Sequence, residues 1–202
     1  TLLDWLPADL TGCRLLDAGC GTGALAVEAA KRGAHVTAID ISPTLVNLAR
    51  ERIPQDIGRG HIDFRVGDML DPELGHFDHV AAMDSLIHYK ASDIARTLSA
   101  IATRCSGSIV FTFAPRTPAL TAMHTVGRLF PRSDRAPAIE PVTESTLRRL
   151  FADDAQLSGW RAHRTPPAPG TRPAPPTLVN SCPPPFRWNA TIPHSIFVVL
   201  RA

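Results

Sequence analysis

Short apolar runs alternate with amphipathic stretches over the first 113 residues. Leu15–Ala18, His35–Asp40 (H-V-T-A-I-D), His61–Val66, Phe77–Met83 and Ser108–Phe113 (S-I-V-F-T-F) have the length and β-rich composition of strands. Between them lie stretches of helical character, Ala24–Arg32 and Ala91–Thr103. Ser42-Pro43 opens another, with Ser as N-cap, Pro at the first helical position, and Leu45, Leu48, Ala49 and Ile53 on one face. A short helix is also expected over Thr1–Leu10, with Trp5 and Leu6 apolar and Pro7 interrupting. Strands alternating with helices of about ten to fifteen residues predict an α/β fold, a mostly parallel twisted sheet with helices on both faces. Such sheets bind ligands at the carboxyl ends of their strands. Those ends hold Asp17, Asp40, Asp68 and Asp84, four acids at consecutive strand ends.

The alternation breaks at Pro115–Pro141, a long insert containing Pro and Arg. Its middle, Ala119–Phe130, predicts a helix with Leu120, Met123, Val126 and Phe130 on one side, and loops this long are usually functional. Thr143 then caps a helix running through Phe151. Beyond Trp160 the chain has no acid, five Arg and a dense set of prolines, which a sheet core does not accept. Only Ser195–Leu200 still reads as a strand there. The organisation expected is therefore a domain over residues 1–160, with the insert at 115–141, and an atypical tail over 161–202.

Composition narrows the function classes. With 44% hydrophobic and 20% charged residues, the chain has the make-up of an ordinary globular domain. A net charge of +2, without a basic stripe, gives no reason to expect a nucleic-acid partner. Without the tail's five Arg, sixteen basic residues face nineteen acidic ones, so the first 159 residues carry a net −3. The four cysteines show no metal-ligand spacing and read as free thiols of a reducing compartment, and no protein-bound metal is expected. No apolar run approaches the ~20 residues of a membrane span.

The chemistry starts at Arg14–Gly23, R-L-L-D-A-G-C-G-T-G. A strand that breaks into glycines and re-enters as a helix leaves backbone N–H groups free for a ligand. Gly19-x-Gly21-x-x-Ala24 fits the relaxed dinucleotide pattern, with Asp40 at a plausible distance for a ribose. Asp17 just before the turn would repel a pyrophosphate, however, and suits a cofactor that presents an ammonium, as S-adenosylmethionine (SAM) does. Asp68 after the third strand suits an adenine amine, with Met69 packing on the ring. The candidate cofactor contacts are thus Asp17, Gly19, Cys20, Gly21, Gly23, Asp40, Ile41, Asp68, Met69 and Asp84. Asp84 and Ser85 either line the methionyl end of the cofactor or cap the next helix.

Leu15–Gly23, V-T-A-I-D at 36–40 and G-D-M-L at 67–70 resemble a class I SAM-dependent methyltransferase of Rossmann-like fold. A-A-M-D-S-L-I-H-Y (81–89), F-T-F-A-P-R-T-P (111–118) and M-H-T-V-G-R-L-F-P-R-S-D-R-A-P-A-I (123–139) are narrower, and resemble the magnesium-protoporphyrin IX O-methyltransferase family over about residues 1–160. The resemblance implies methyl transfer from SAM to one propionate carboxylate of Mg-protoporphyrin IX in chlorophyll and bacteriochlorophyll synthesis. A carboxylate of pKa ~4–5 is already ionised near neutral pH, so placement and water exclusion matter more than a strong base. His88, just beyond the fourth strand, is the candidate to orient or hold ionised the substrate carboxyl, with Tyr89 assisting; a structural histidine is the competing reading. Arg116, Arg128, Arg132 and Arg135 are candidates for the second propionate, and Leu120, Met123, Leu129 and Phe130 for the macrocycle face. His124 near the porphyrin magnesium is the weaker reading of a helix-face histidine.

Two departures from the family stand out. Its N-terminal helical arm has no counterpart before the first strand here, which reads the chain as a fragment. Its closing pair of antiparallel strands is replaced by the Pro/Arg tail, read either as an out-of-frame stretch beginning near residues 161–165 or as a disordered extension. The implied setting is cytoplasmic, with peripheral contact to the photosynthetic membrane and handover from the porphyrin-binding subunit of Mg-chelatase. The competing functions are another small-molecule SAM-dependent O-methyltransferase, of the quinone or catechol type, and a non-catalytic SAM-binding partner of a pigment-synthesis complex.

Overall fold

A computed structural model describes residues 5–116, 139–163 and 196–201. Seven strands, β1 (Arg14–Ala18), β2 (His35–Asp40), β3 (His61–Val66), β4 (Phe77–Ala82), β5 (Cys105–Phe113), β6 (Arg161–His163) and β7 (Ile196–Arg201), form one sheet. Their order is β3-β2-β1-β4-β5-β7-β6. The five strands from β3 to β5 are parallel, and β7 joins β5 antiparallel, with β6 antiparallel to β7 at the edge. The mostly parallel α/β architecture expected from the sequence is the one observed. β1 is central, and the chain winds outward from it to β2 and β3 on one side and to β4 and β5 on the other. That reversal of direction opens the crevice in which such sheets take ligands.

Alternation along each strand builds two cores. Leu16, Val80, Ile109 and Phe111 face one way and pack with α3 (Ala91–Ala102) and α4 (Glu144–Asp153) through Ile94, Leu98, Ile101, Leu147 and Phe151. Leu15, Val36, Ala38, Phe64, Ala81 and Val110 face the other way against α1 (Ala24–Lys31) and α2 (Pro43–Glu51). β7 obeys the same rule, with Val198 and Leu200 in the first core and Val199 in the second. The caps read from the sequence form: Ser42 accepts from the Leu45 N–H with Pro43 in the first turn, and Thr143 accepts from the Thr146 N–H.

The structure corrects some expectations. Of the helix expected over Thr1–Leu10, the described part keeps Trp5 in a 3-10 turn, while residues 6–10 are not helical, although Leu6 and Leu10 are still buried. In α2 the buried face is Val46 and Ala49, while Leu45 and Ile53 are exposed, so the apolar stripe lies one residue round from the one expected. β5 begins three residues earlier than its apolar run, because Cys105 pairs with Phe77. The strand at Arg161–His163 was not expected, since its three residues carry no apolar alternation of their own. The expected insert helix lies outside the described residues.

Candidate functional site

The turn after β1 is shaped by its glycines. Gly19, Gly21 and Gly23 take φ of 81°, 52° and 79°, left-handed values that side chains bearing a Cβ resist. A Cβ on Gly19 would lie 2.5 Å from the Cβ of Ser85, so the turn after β4 rests directly on the glycine turn. A Cβ on Gly23 would meet the Phe64 ring at 2.8 Å, which makes Gly23 a packing position between α1 and β3 rather than an open one. At Gly21 the equivalent space is open. The turn is tied to β2 by two bonds, from the N–H groups of Gly19 and Cys20 to the Ile39 carbonyl at 2.9 and 3.0 Å.

Asp40, at the end of β2, accepts from the Gly21 N–H at 2.9 Å and from the Ser42 N–H at 2.8 Å, one on each oxygen. Each oxygen keeps a further lone pair. The Gly67 N–H reaches the Asp40 carbonyl, which places the end of β3 beside it. Asp68 follows, exposed, with Oδ1 accepting from the Leu70 N–H at 2.9 Å. Ile41 is 80% exposed, unusual for an isoleucine, and Met69 lies partly buried against the core. Behind this loop Arg104 donates to the carbonyls of Met69 and Asp71. Nothing in the residue string singles out Arg104, because backbone carbonyls of a distant loop leave no mark there.

Asp17 is only 1% exposed, and its Oδ2 has no hydrogen-bond partner. Burial pushes its carboxyl up to about 7, against an opposing backbone N–H from Ala26 and with the Asp40 charge adding to the rise. Cys20 lies in the glycine turn with its side chain buried. Its thiol sits in the second core, and burial first, then the charges of Asp17 and Asp40, push it up to about 12, so only its backbone serves the turn. Ser85 Oγ is a second buried oxygen without a partner, and Ser85 makes no side-chain cap bond to the turn that follows. That removes the capping alternative for Ser85.

At the end of β4, Asp84 is the one non-glycine residue with positive φ among the described residues, at 54°. Such a backbone costs of order 1–3 kcal/mol and persists only where neighbours enforce it. A single 3-10 turn, Leu86–His88, follows, leading to Tyr89. Leu86 is fully buried, His88 half-buried and Tyr89 exposed. The ends of the insert meet this turn. Pro115 and Val142 form a bridge, the Arg116 N–H bonds the Val142 carbonyl, and the Glu140 N–H bonds the Ile87 carbonyl at 2.9 Å. Arg116 itself is exposed beside it. Met123, His124, Arg128, Phe130, Arg132 and Arg135, with Leu120 and Leu129, lie outside the described residues. Among the described residues no group of three or more His, Cys, Asp or Glu could hold a metal ion, and no helix is long and apolar enough to cross a membrane.

A parallel sheet reversing at β1, a left-handed glycine turn over a buried acid, and acids at the next two strand ends define a Rossmann-like methyltransferase. Residues 15–106 match the family described as methyltransferase domain, and residues 82–168 match the C-terminus of magnesium-protoporphyrin IX methyltransferase. The magnesium-protoporphyrin O-methyltransferase of Rhodobacter capsulatus is 53% identical over 152 residues, covering 75% of this chain and 67% of that protein. The enzyme of the same description from Synechocystis is 30% identical over 156 residues, covering 76% of this chain and 68% of that one. The crystal structure of magnesium protoporphyrin IX methyltransferase from Synechocystis PCC 6803 with bound SAH superposes with a TM-score of 0.66 at 26% identity, covering 95% of this chain and 75% of that one. The chain belongs to the magnesium-protoporphyrin O-methyltransferase family.

Proposed function

We propose that this protein transfers the methyl group of SAM to one propionate carboxylate of Mg-protoporphyrin IX, giving the monomethyl ester, a step of chlorophyll and bacteriochlorophyll synthesis. The observation that carries the reading is the 53% identity over three quarters of the chain to an enzyme of that description. The residues present fit SAM. The buried, unpartnered Asp17 Oδ2 suits the ammonium of the methionyl group, and Ser85, which packs on Gly19 and has a buried hydroxyl without a partner, and Asp84 are assigned to the same end of the cofactor. Asp40 has acceptor capacity left for the ribose hydroxyls. Ile41 and Met69 offer apolar surface to the adenine, and Asp68 Oδ2 an acceptor for its amine. Gly19, Gly21 and Gly23 let the backbone carry this shape.

SAM supplies an electrophilic methyl group on a sulfonium. The chain has to hold an ionised carboxylate in line with it and keep water out. His88 and Tyr89 fill that role, at the turn that rests on the glycine turn and borders the roots of the insert. A histidine donor beside the carboxylate favours its ionised form and fixes its direction. Arg116 at one root of the insert is the candidate for the second propionate through its planar fork, and Arg128, Arg132, Met123 and Phe130, outside the described residues, are assigned on their residue types to the same propionate and the macrocycle face. The magnesium belongs to the substrate. Acceptance of the porphyrin from the porphyrin-binding subunit of Mg-chelatase, and peripheral contact with the photosynthetic membrane, belong to the same reading through the apolar product. Incubating the purified protein with SAM and Mg-protoporphyrin IX and resolving the pigments by chromatography tests it. The monomethyl ester is expected, and SAM binding without ester formation would defeat the assignment.

A further inference from the structure

The buried run of β5 carries two hydroxyls, Ser108 at its start and Thr112 at the carboxyl end of the sheet. Thr112 lies between Phe111 and Phe113 and is fully buried. Its Oγ1 accepts from the Asp84 N–H at 2.7 Å and donates to Asp84 Oδ1 at 3.1 Å. One side chain on a neighbouring strand thus bonds both the backbone and the carboxylate of the residue held at a φ of 54°. A buried hydroxyl satisfied twice by one partner has a single stable arrangement. The residue it holds directs the chain out of β4, and the next residue, Ser85, packs on Gly19, where a Cβ would approach to 2.5 Å. Three residues beyond Ser85 is His88.

We propose that Thr112 is a positioning residue for methyl transfer, and that its paired bonds to Asp84 fix the left-handed exit from β4 that sets the Ser85–Tyr89 turn against the cofactor turn. Thr112 touches neither donor nor acceptor. It acts through Asp84, so its removal leaves the cofactor turn standing but lets the acceptor side of the site drift. This rests on the methyltransferase reading above, and ester formation by the unsubstituted protein, measured alongside, reports on that reading separately.

Thr112→Val keeps the shape and deletes both bonds, while Thr112→Ser keeps the bonds and deletes a methyl. Expected for T112V is a fall in kcat of tenfold or more and a smaller fall in SAH affinity, of about threefold to fivefold, because Asp84 and Ser85 are also proposed for the methionyl group. T112S is expected to regain the parent kcat within about threefold. Asp84→Gly accepts positive φ without strain and has no carboxylate, so it already lacks one of the two bonds and keeps only that from its N–H, and adding T112V to D84G is expected to lower kcat less than T112V does alone. Three results would each overturn the proposal: a T112V kcat equal to the parent's, equal losses in T112V and T112S, or full additivity of T112V with D84G. A T112V protein without a cooperative melt would make Thr112 a core group only, and would overturn it too.

Discussion

Asp17 is where charge, burial and ligand chemistry meet most closely. A carboxyl at about 7 in the fold and near 3.8 when unfolded holds its proton in the folded state over that interval. The fold therefore binds more protons than the unfolded chain there, and this contribution to stability is full below pH ~4 and is lost as pH rises through about 7. Asp17→Asn should flatten that part of the stability–pH curve in denaturant titrations of the ligand-free protein; a slope unchanged from pH 4 to 7 would speak against it. The cofactor ammonium needs the ionised form, so SAM affinity should rise about tenfold from pH 5.5 to 7 and be pH-independent in D17N, checked by calorimetry. His88→Ala is expected to keep SAM affinity within about threefold and lose most of its turnover, and unchanged turnover would take His88 out of the mechanism. The acid and the glycines were legible because their spacing is dictated by backbone geometry. That the Cys20 thiol faces the core was not, since a turn residue's direction depends on φ values that the residue string does not display.

Among the elements, the connection from β3 to β4 depends on a partner far away in sequence. Arg104, at the join of α3 and β5, is nearly buried and bonds the carbonyls of Met69 and Asp71, so it shapes the loop that presents Asp68 and Met69. Arg104→Met is expected to cost about 1–3 kcal/mol of stability by removing the bond to the Met69 carbonyl and leaving the Asp71 carbonyl to the Leu74 N–H alone, and to weaken SAM binding several-fold. Equilibrium unfolding and titration with SAM separate the two effects, and unaltered SAM affinity would contradict the link. The parallel strands and the capped helices could be read in advance because apolar period, Ser42-Pro43 and Thr143 are local signals. The buried face of α2 was misread by one residue, because Leu45 and Ile53 are apolar but face outward while the smaller Ala49 and Val46 face the sheet. The site beyond β4 was legible only as a position. That Ser85 rests on Gly19 and that Thr112 grips Asp84 are contacts between residues at least 28 apart in sequence, which no local pattern encodes.

Across the whole molecule, the sheet closes with β7 in antiparallel register on β5, Val198 and Leu200 filling one core and Val199 the other. Because β7 fits the sheet, we infer that any slip of reading frame behind the Pro/Arg composition lies between residues 164 and 195, with the frame regained before Ile196. Resequencing the gene should show compensating shifts within that interval; an intact frame encoding the same residues would establish the stretch as genuine. The two roots of the insert, joined by the Pro115–Val142 bridge and bonded to Ile87, bring donor and acceptor regions to one edge of this sheet. The donor turn was readable from glycine spacing, while the acceptor came from resemblance, because a porphyrin surface has no spacing rule of its own. The most direct measurement uses SAM with an isotopically labelled methyl group, Mg-protoporphyrin IX and the purified protein, with mass spectrometry of the pigment. One labelled methyl per porphyrin, lost on saponification of the ester, is expected. A pigment that stays unlabelled while the protein binds SAM, or carries its label anywhere but on a carboxylate, would contradict it.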